Sequence, residues 1–248
     1  MIDWLRSERL NPSVTIAGRQ LPISIRRHAR ARRLTMRLAP DGAEIRITLP
    51  TWGRTMDALV FAQNRTDWLE QQLARVPQAT PVEPGGSVFY RGQELRIDWH
   101  AAHPRRPVLT GTGLRCGGPA DRLERRIRSF LEQEALQLCA ADLADYCALA
   151  RQPLPALRLS RARRRWGSCS GSARGSGEDA RCIRINWRLV MAPDHVRRSV
   201  VAHEVAHLAH FDHSPAFHKA LAGLYEGDLR AADRWLKERG RSLYAAFG

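Results

Sequence analysis

A chain of 248 residues with 44% apolar and 26% charged side chains has the composition of a folded globular protein, which excludes wholesale disorder. Forty basic residues against 25 acids leave a net charge of +15, and only Lys219 and Lys237 among the forty are lysines. The longest run free of Asp, Glu, Lys and Arg is nine residues, Leu10 to Gly18, well short of the roughly 20 that a membrane helix needs.

The opening MIDWLRSERL has no apolar core of a secretory signal, so a cytoplasmic protein with no membrane partner is expected. Five cysteines (Cys116, Cys139, Cys147, Cys169, Cys182) contain no CxxC pair and are expected to be reduced thiols. The charge is +8 through residue 116 (18 basic minus 10 acidic) and +7 beyond it (22 minus 15). Such a basic surface attracts nucleic acid, and spread evenly it predicts weak, non-specific binding; a compositional bias explains it equally well.

Residues 14–49 read as strands. Val14–Ile16, Leu21–Ile25, Leu34–Leu38 and Ile45–Leu49 alternate apolar and polar side chains between turn signals. Arg26–Arg33 holds five arginines in eight residues and reads as a solvated turn or a phosphate-contacting patch. Thr55–Leu73 has helical spacing with Thr55 as N-cap, and Pro77–Gly86 is a connection. Val88–Tyr90 and Leu95–Trp99 form a predicted hairpin. The Gly-rich stretch Gly111–Pro119 marks the expected boundary between a β-rich part with one helix (1–117) and a second domain (118–248).

A long helix is predicted over Asp121–Arg151, ended by Pro153 and Pro155. Leu157–Cys169 and Cys182–Trp187 read as a hairpin joined by a flexible loop, Gly171–Gly177. A helix from Pro193 to about His210 follows, then helices over Pro215–Tyr225 and Leu229–Arg239.

The chemistry lies on the helix after Pro193, which carries His203-Glu204-Val205-Ala206-His207. Residues four apart share a helical face, so both imidazoles reach one ion. Zinc accepts imidazole nitrogen and in catalytic sites keeps a position for water, from which Glu204 takes a proton. His210, His213 and His218 follow closely. Ser214-Pro215 is a helix start, which leaves His213 in the turn before it, able to fold back over the metal. Two geometries remain open. Either His210 makes the turn in the left-handed region, or the helix runs on through His210 and breaks at Asp212. A continued helix carries His210 about 4–5 Å beyond His207, a poor fit, so His213 is the expected third ligand. His218 is expected to line the pocket or support a ligand from outside the coordination sphere.

Arg165-Trp166-Gly167-Ser168-Cys169-Ser170, Ile185-Asn186-Trp187-Arg188-Leu189-Val190-Met191-Ala192-Pro193 and HEVAHLAHFDHSPAF together resemble the YgjP-like zinc metallopeptidases, relatives of SprT-type and WLM-type proteases. The resemblance extends over about residues 24–245, taking in the Arg-rich strand at 26–38, Ile45–Pro50, Asp67-Trp68-Leu69 and Tyr90-Arg91-Gly92. It implies an α+β fold, a β-rich N-terminal part followed by a small zincin-like domain, with Zn2+ as cofactor and protein or peptide as substrate. His203, His207 and His213 would be the ligands and Glu204 the general base; His218 stands where the family commonly has Trp. The strand through Trp166, Gly167 and Ser168 is placed to be an edge that holds extended substrate, or else serves folding alone. The relation to SprT-type proteins implies an alternative function, a DNA-associated protein whose basic surface binds nucleic acid and whose proteolysis is conditional on it.

Overall fold

The computed structural model describes residues 12–39, 42–74, 76, 80–111, 113–171 and 181–247. The chain forms two compact units, Met1–Gln78 and Ala79–Gly248. The fold class is α+β as expected: β-sheets dominate the first part, and helices the part that follows.

In the first unit, β1 (Ser13–Ile16), β2 (Arg19–Arg27), β3 (Thr35–Leu38) and β4 (Ile45–Leu49) form a sheet in the order β1-β2-β4-β3. The period-2 pattern has a direct outcome in β4, where Ile45, Ile47 and Leu49 are buried while Arg46 and Thr48 are half-exposed. β4 inserts between β2, to which it is parallel, and β3, to which it is antiparallel. The Arg-rich stretch supplies the end of β2 and the crossing connection to β3. The helix predicted over Thr55–Leu73 is two helices, α1 (Thr55–Gln63) and α2 (Thr66–Ala74), which part at Asn64-Arg65. Arg54 caps α1, and Thr55 is its first residue. Ala58, Ala62 and Leu69 close the core over the sheet.

The second unit starts with β5 (Ser87–Tyr90), β6 (Gln93–Trp99), β7 (Val108–Leu109) and β8 (Gly113–Cys116), ordered β5-β6-β8-β7. Their buried Val88, Ile97, Leu114 and Cys116 share one continuous core with Leu123, Ile127 and Leu131 of α3 (Leu123–Leu149). The division therefore falls at 78/79, not at the expected 117/118. Gly113 and Gly117 let backbone pack closely, since a Cβ there would stand 2.7 Å from the Arg96 and 2.0 Å from the His103 carbonyl oxygen, so this stretch belongs to the second unit's core rather than to a linker.

Burial explains the length of α3, in which Leu123, Ile127, Leu131, Ala135, Cys139, Leu143, Tyr146 and Cys147 lie on one covered face. The predicted second hairpin is a three-stranded sheet, with β9 (Ala156–Ser160), β10 (Gly167–Ser170) and β11 (Cys182–Asn186) in the order β10-β11-β9. β11 runs parallel to β9 and antiparallel to β10, which leaves β10 at an edge. The loop predicted at Gly171–Gly177 lies, after Gly171, outside the described residues. A 3₁₀ turn over Trp187–Met191 leads to α4 (Asp194–Ala206), followed by α5 (Pro215–Leu224) and α6 (Leu229–Arg239). Among the described residues no helix is long and apolar enough to cross a membrane.

Candidate metal centre

α4 is fixed at its N-terminal end by charge. Arg197 is 3% exposed and donates from Nε to Asp142 of α3 at 2.7 Å. Arg198 reaches Asp142 at 2.9 Å and Glu226 at 2.6 Å, and Glu226 also accepts from the Tyr146 hydroxyl at 2.7 Å. The β5–β6 turn docks just before the helix, where the Arg91 and Gly92 amides donate to the Val190 and Met191 carbonyls at 2.7 and 3.1 Å. Arg91 pairs with Asp194 at the helix start.

At the other end of α4 the chain leaves the helix without a left-handed residue. Ala206 is the last helical residue and His207 the C-cap. The amides of Leu208 and Ala209 bond the carbonyls three residues back, at 2.9 and 3.2 Å, which tightens the final turn. Among the described residues the non-glycine residues of positive φ are Ala17, Arg91 and Arg151, so His210 is not one of them. Both expected geometries are therefore corrected: the helix neither runs through His210 nor turns there in the left-handed region. Regular helix ends at Ala206, and a turn over 207–209 satisfies its last carbonyls, that of Ala206 accepting from both the Ala209 and the His210 amides.

That early ending brings three imidazoles together. His203 Nε2 lies 3.2 Å from His207 Nε2 and 3.3 Å from His213 Nε2. Among the described residues these three form the cluster of metal-ligating side chains, with all ligand atoms within 4.8 Å of one another. Nitrogens bound tetrahedrally at 2.0–2.1 Å stand roughly 3.3–3.4 Å apart, so the observed separations fit one shared ion. Burial, and then the neighbouring rings of His207, His213 and His218, push the His203 imidazole down to about 4, which keeps its lone pair available. His207 Nδ1 lies 2.9 Å from the His210 carbonyl; a proton there leaves Nε2 as the free lone pair. His210 thus contributes its backbone rather than its ring.

Phe217 is a site residue that sequence reading missed. It is fully buried beneath the three histidines, stacked on His207 at 4.5 Å and 28° and edge-on to His203 and His213 at 5.0 and 4.8 Å. Ser214 caps α5 by accepting from the Phe217 amide at 3.4 Å, which sets the ring in the first turn. Its position three residues after a Ser-Pro helix start was the available signal. His218 is exposed, with its ring 6.5 Å from that of His213 and 5.4 Å from that of Phe217.

Glu204 points to the β10 side of the helix and is 5% exposed. Burial raises its carboxyl to about 7, against the lowering effects of the Cys169 backbone N–H bond and of Arg165. Gly167 lies directly on it: a Cβ there would stand 2.4 Å from Oε1 and 2.7 Å from Cγ. Only glycine fits. β10 therefore touches the carboxylate twice, through a missing side chain and through an amide, neither of which a residue pattern exposes.

A family model for the YgjP-like metallopeptidase domain matches residues 32–239. The chain belongs to that family. It is a metallopeptidase, with protein or peptide as substrate and a metal as cofactor, and the three-histidine cluster could hold that metal. No curated protein and no solved structure matches the chain.

Other parts of the YgjP-like motifs serve the fold. Trp166 packs on Tyr244 at 5.8 Å and on Gly240. Its carbonyl accepts from the Asn186 amide at 2.8 Å. Asn186 Nδ2 holds the carbonyls of Ala162 and Arg165 at 2.8 and 3.3 Å, so it fastens the loop before β10 rather than the active helix. Arg188 donates to the Phe247 carbonyl at 3.2 Å and lies over Trp187 and Tyr244. Ser168 pairs in register with Arg184 on β11. Cys169 and Cys182 are free thiols, and burial raises Cys169 to about 11, which leaves it unreactive.

Proposed function

We propose that this metallopeptidase is zinc-dependent, with His203, His207 and His213 as ligands and Glu204 as the general base. The observation that carries the reading is the pair of Nε2 separations of 3.2 and 3.3 Å beside one buried carboxylate on the adjoining helix position. Three imidazole donors suit zinc, whereas calcium and magnesium take oxygen. When bound, zinc acts as a Lewis acid that lowers the pKa of water toward ~7 and polarises a carbonyl.

The protein's own groups do the rest. Glu204 takes a proton from the attacking water and returns it to the departing amine, a task suited to a group that titrates near neutral pH. The Cys169 amide and the bare Cα of Gly167 fix where that carboxylate points. The outer edge of β10, through Gly167 and Ser168, offers main-chain donors and acceptors to an extended peptide. Trp166, just before that strand, packs on Tyr244 and Gly240.

Glu204→Gln tests the base directly. Peptide hydrolysis is expected to fall by at least ~10²–10⁴-fold while zinc content, measured by elemental analysis, stays at the wild-type level. Turnover at the wild-type rate would sink the assignment.

A further inference from the structure

Between the β6–β7 connection, at Arg105, and the first turns of α3 lies an open cavity of about 700 Å³, within the size range of small-ligand sites. Arg105, Arg122, Arg125 and Arg126 line it, with Asp121 its one carboxylate and Ser129 its one hydroxyl. Positions 122, 125, 126 and 129 recur at helical spacing, so these side chains leave α3 on one side. Gly118, at φ +80°, lets two of the arginines converge: a Cβ there would stand 3.1 Å from Arg105 Cγ and 3.6 Å from Arg126 Cζ. The Pro119 carbonyl accepts from Arg126 Nη2 at 2.6 Å and holds that side chain at the cavity wall.

Convergence sets this place apart. Several arginines of the same unit meet carboxylates, as in Arg91–Asp194, Arg115–Asp98, Arg161–Glu132 and Arg197–Asp142. Among the described residues none of the four cavity arginines does. Four guanidiniums against one carboxylate in a concavity focus a positive potential where a ligand sits. Guanidinium forks match phosphate oxygens two at a time. Because the four surround one cavity rather than track a groove, a compact ligand fits better than a long backbone.

We propose that this cavity is an anion site for a compact, multiply charged phosphate of the oligophosphate class, separate from the metal centre. Calorimetric titration of the full, metal-loaded chain with inorganic tripolyphosphate at about 0.1 M salt tests it. One saturable site is expected, accompanied by a rise in melting temperature. Arg125→Ala/Arg126→Ala should weaken binding by about a hundredfold or more, since it removes two charge-assisted contacts. The corresponding double lysine variant, which keeps the charge but loses the forks, should fall in between. Arg30→Ala/Arg32→Ala, on the exposed connection of the other unit, should bind as wild type. His213→Ala should also bind unchanged, which separates this site from chelation at the metal centre. Absence of saturable binding, indifference to the Arg125/Arg126 change, or loss of binding in His213→Ala would each overturn the proposal. So would a single-stranded oligonucleotide that binds through Arg125 and Arg126 where tripolyphosphate does not; that result would make the face a nucleic-acid surface.

Discussion

The two ends of α4 handle polar groups in opposite ways. At the N-terminal end Arg197 and Arg198 are buried or half-buried, and every charge meets a carboxylate from α3 or from the segment after α5. At the C-terminal end three imidazoles converge to 3.2–3.3 Å, and burial and mutual repulsion hold His203 in its neutral form. Charge at the first end is balanced inside the protein, so that end builds structure. The second end gathers three imidazole nitrogens beside the Glu204 carboxylate, a donor set that suits a cation. One helix thus carries an internally balanced ion-pair network at one end and a cluster of metal-ligating side chains at the other.

The comparison breaks hardest at Gly167. Gly167→Ala puts a Cβ into the Glu204 carboxylate, and misplacing a reacting group by about 1 Å typically costs ~10²-fold. Hydrolysis should drop by that order with metal content unchanged, as read by a peptide assay beside elemental analysis. At the structural end, Asp142→Ala leaves the buried Arg197 Nε without its carboxylate, with Asp194 as the remaining partner of that guanidinium. A loss of about 3 kcal/mol is expected in urea unfolding, because one member of a buried pair has been removed. If Asp142→Ala cost less than about 1 kcal/mol, the two ends of α4 would not differ as described. The smallest effect is expected at Phe217→Leu, which keeps an apolar floor but loses the stacked ring. Such ring contacts are worth ~0.5–1.5 kcal/mol, so zinc affinity measured by competition with a chelator should weaken roughly two- to tenfold.

Much of this was legible in the residues, and the limits have physical causes. Alternation in Ile45–Leu49 and the apolar face of α3 reported burial directly, and Ser214-Pro215 announced α5 and hence the turn that carries His213. Local pattern did not reveal where cores merge: Val88, Ile97 and Leu114 join α3 only through long-range packing, so the Gly-rich stretch looked like a boundary. Nor did it reveal the work of main-chain atoms. The His210 carbonyl beneath His207 and the Cys169 amide on Glu204 belong to no residue type. Gly167 was visible as a glycine, but its reason is the carboxylate of a residue 37 positions away. The packing of the Trp166 ring on Tyr244, 78 positions away, is likewise invisible to local pattern.

His213 joins the other two imidazoles from outside the helix, and in the proposed site it is the third ligand. Zinc stoichiometry of wild type and His213→Ala, purified alike and measured by elemental analysis, reads its contribution. One zinc per wild-type chain and well below half occupancy in the variant is the expected result. Full occupancy with undiminished hydrolysis in His213→Ala would contradict a site built from these three histidines.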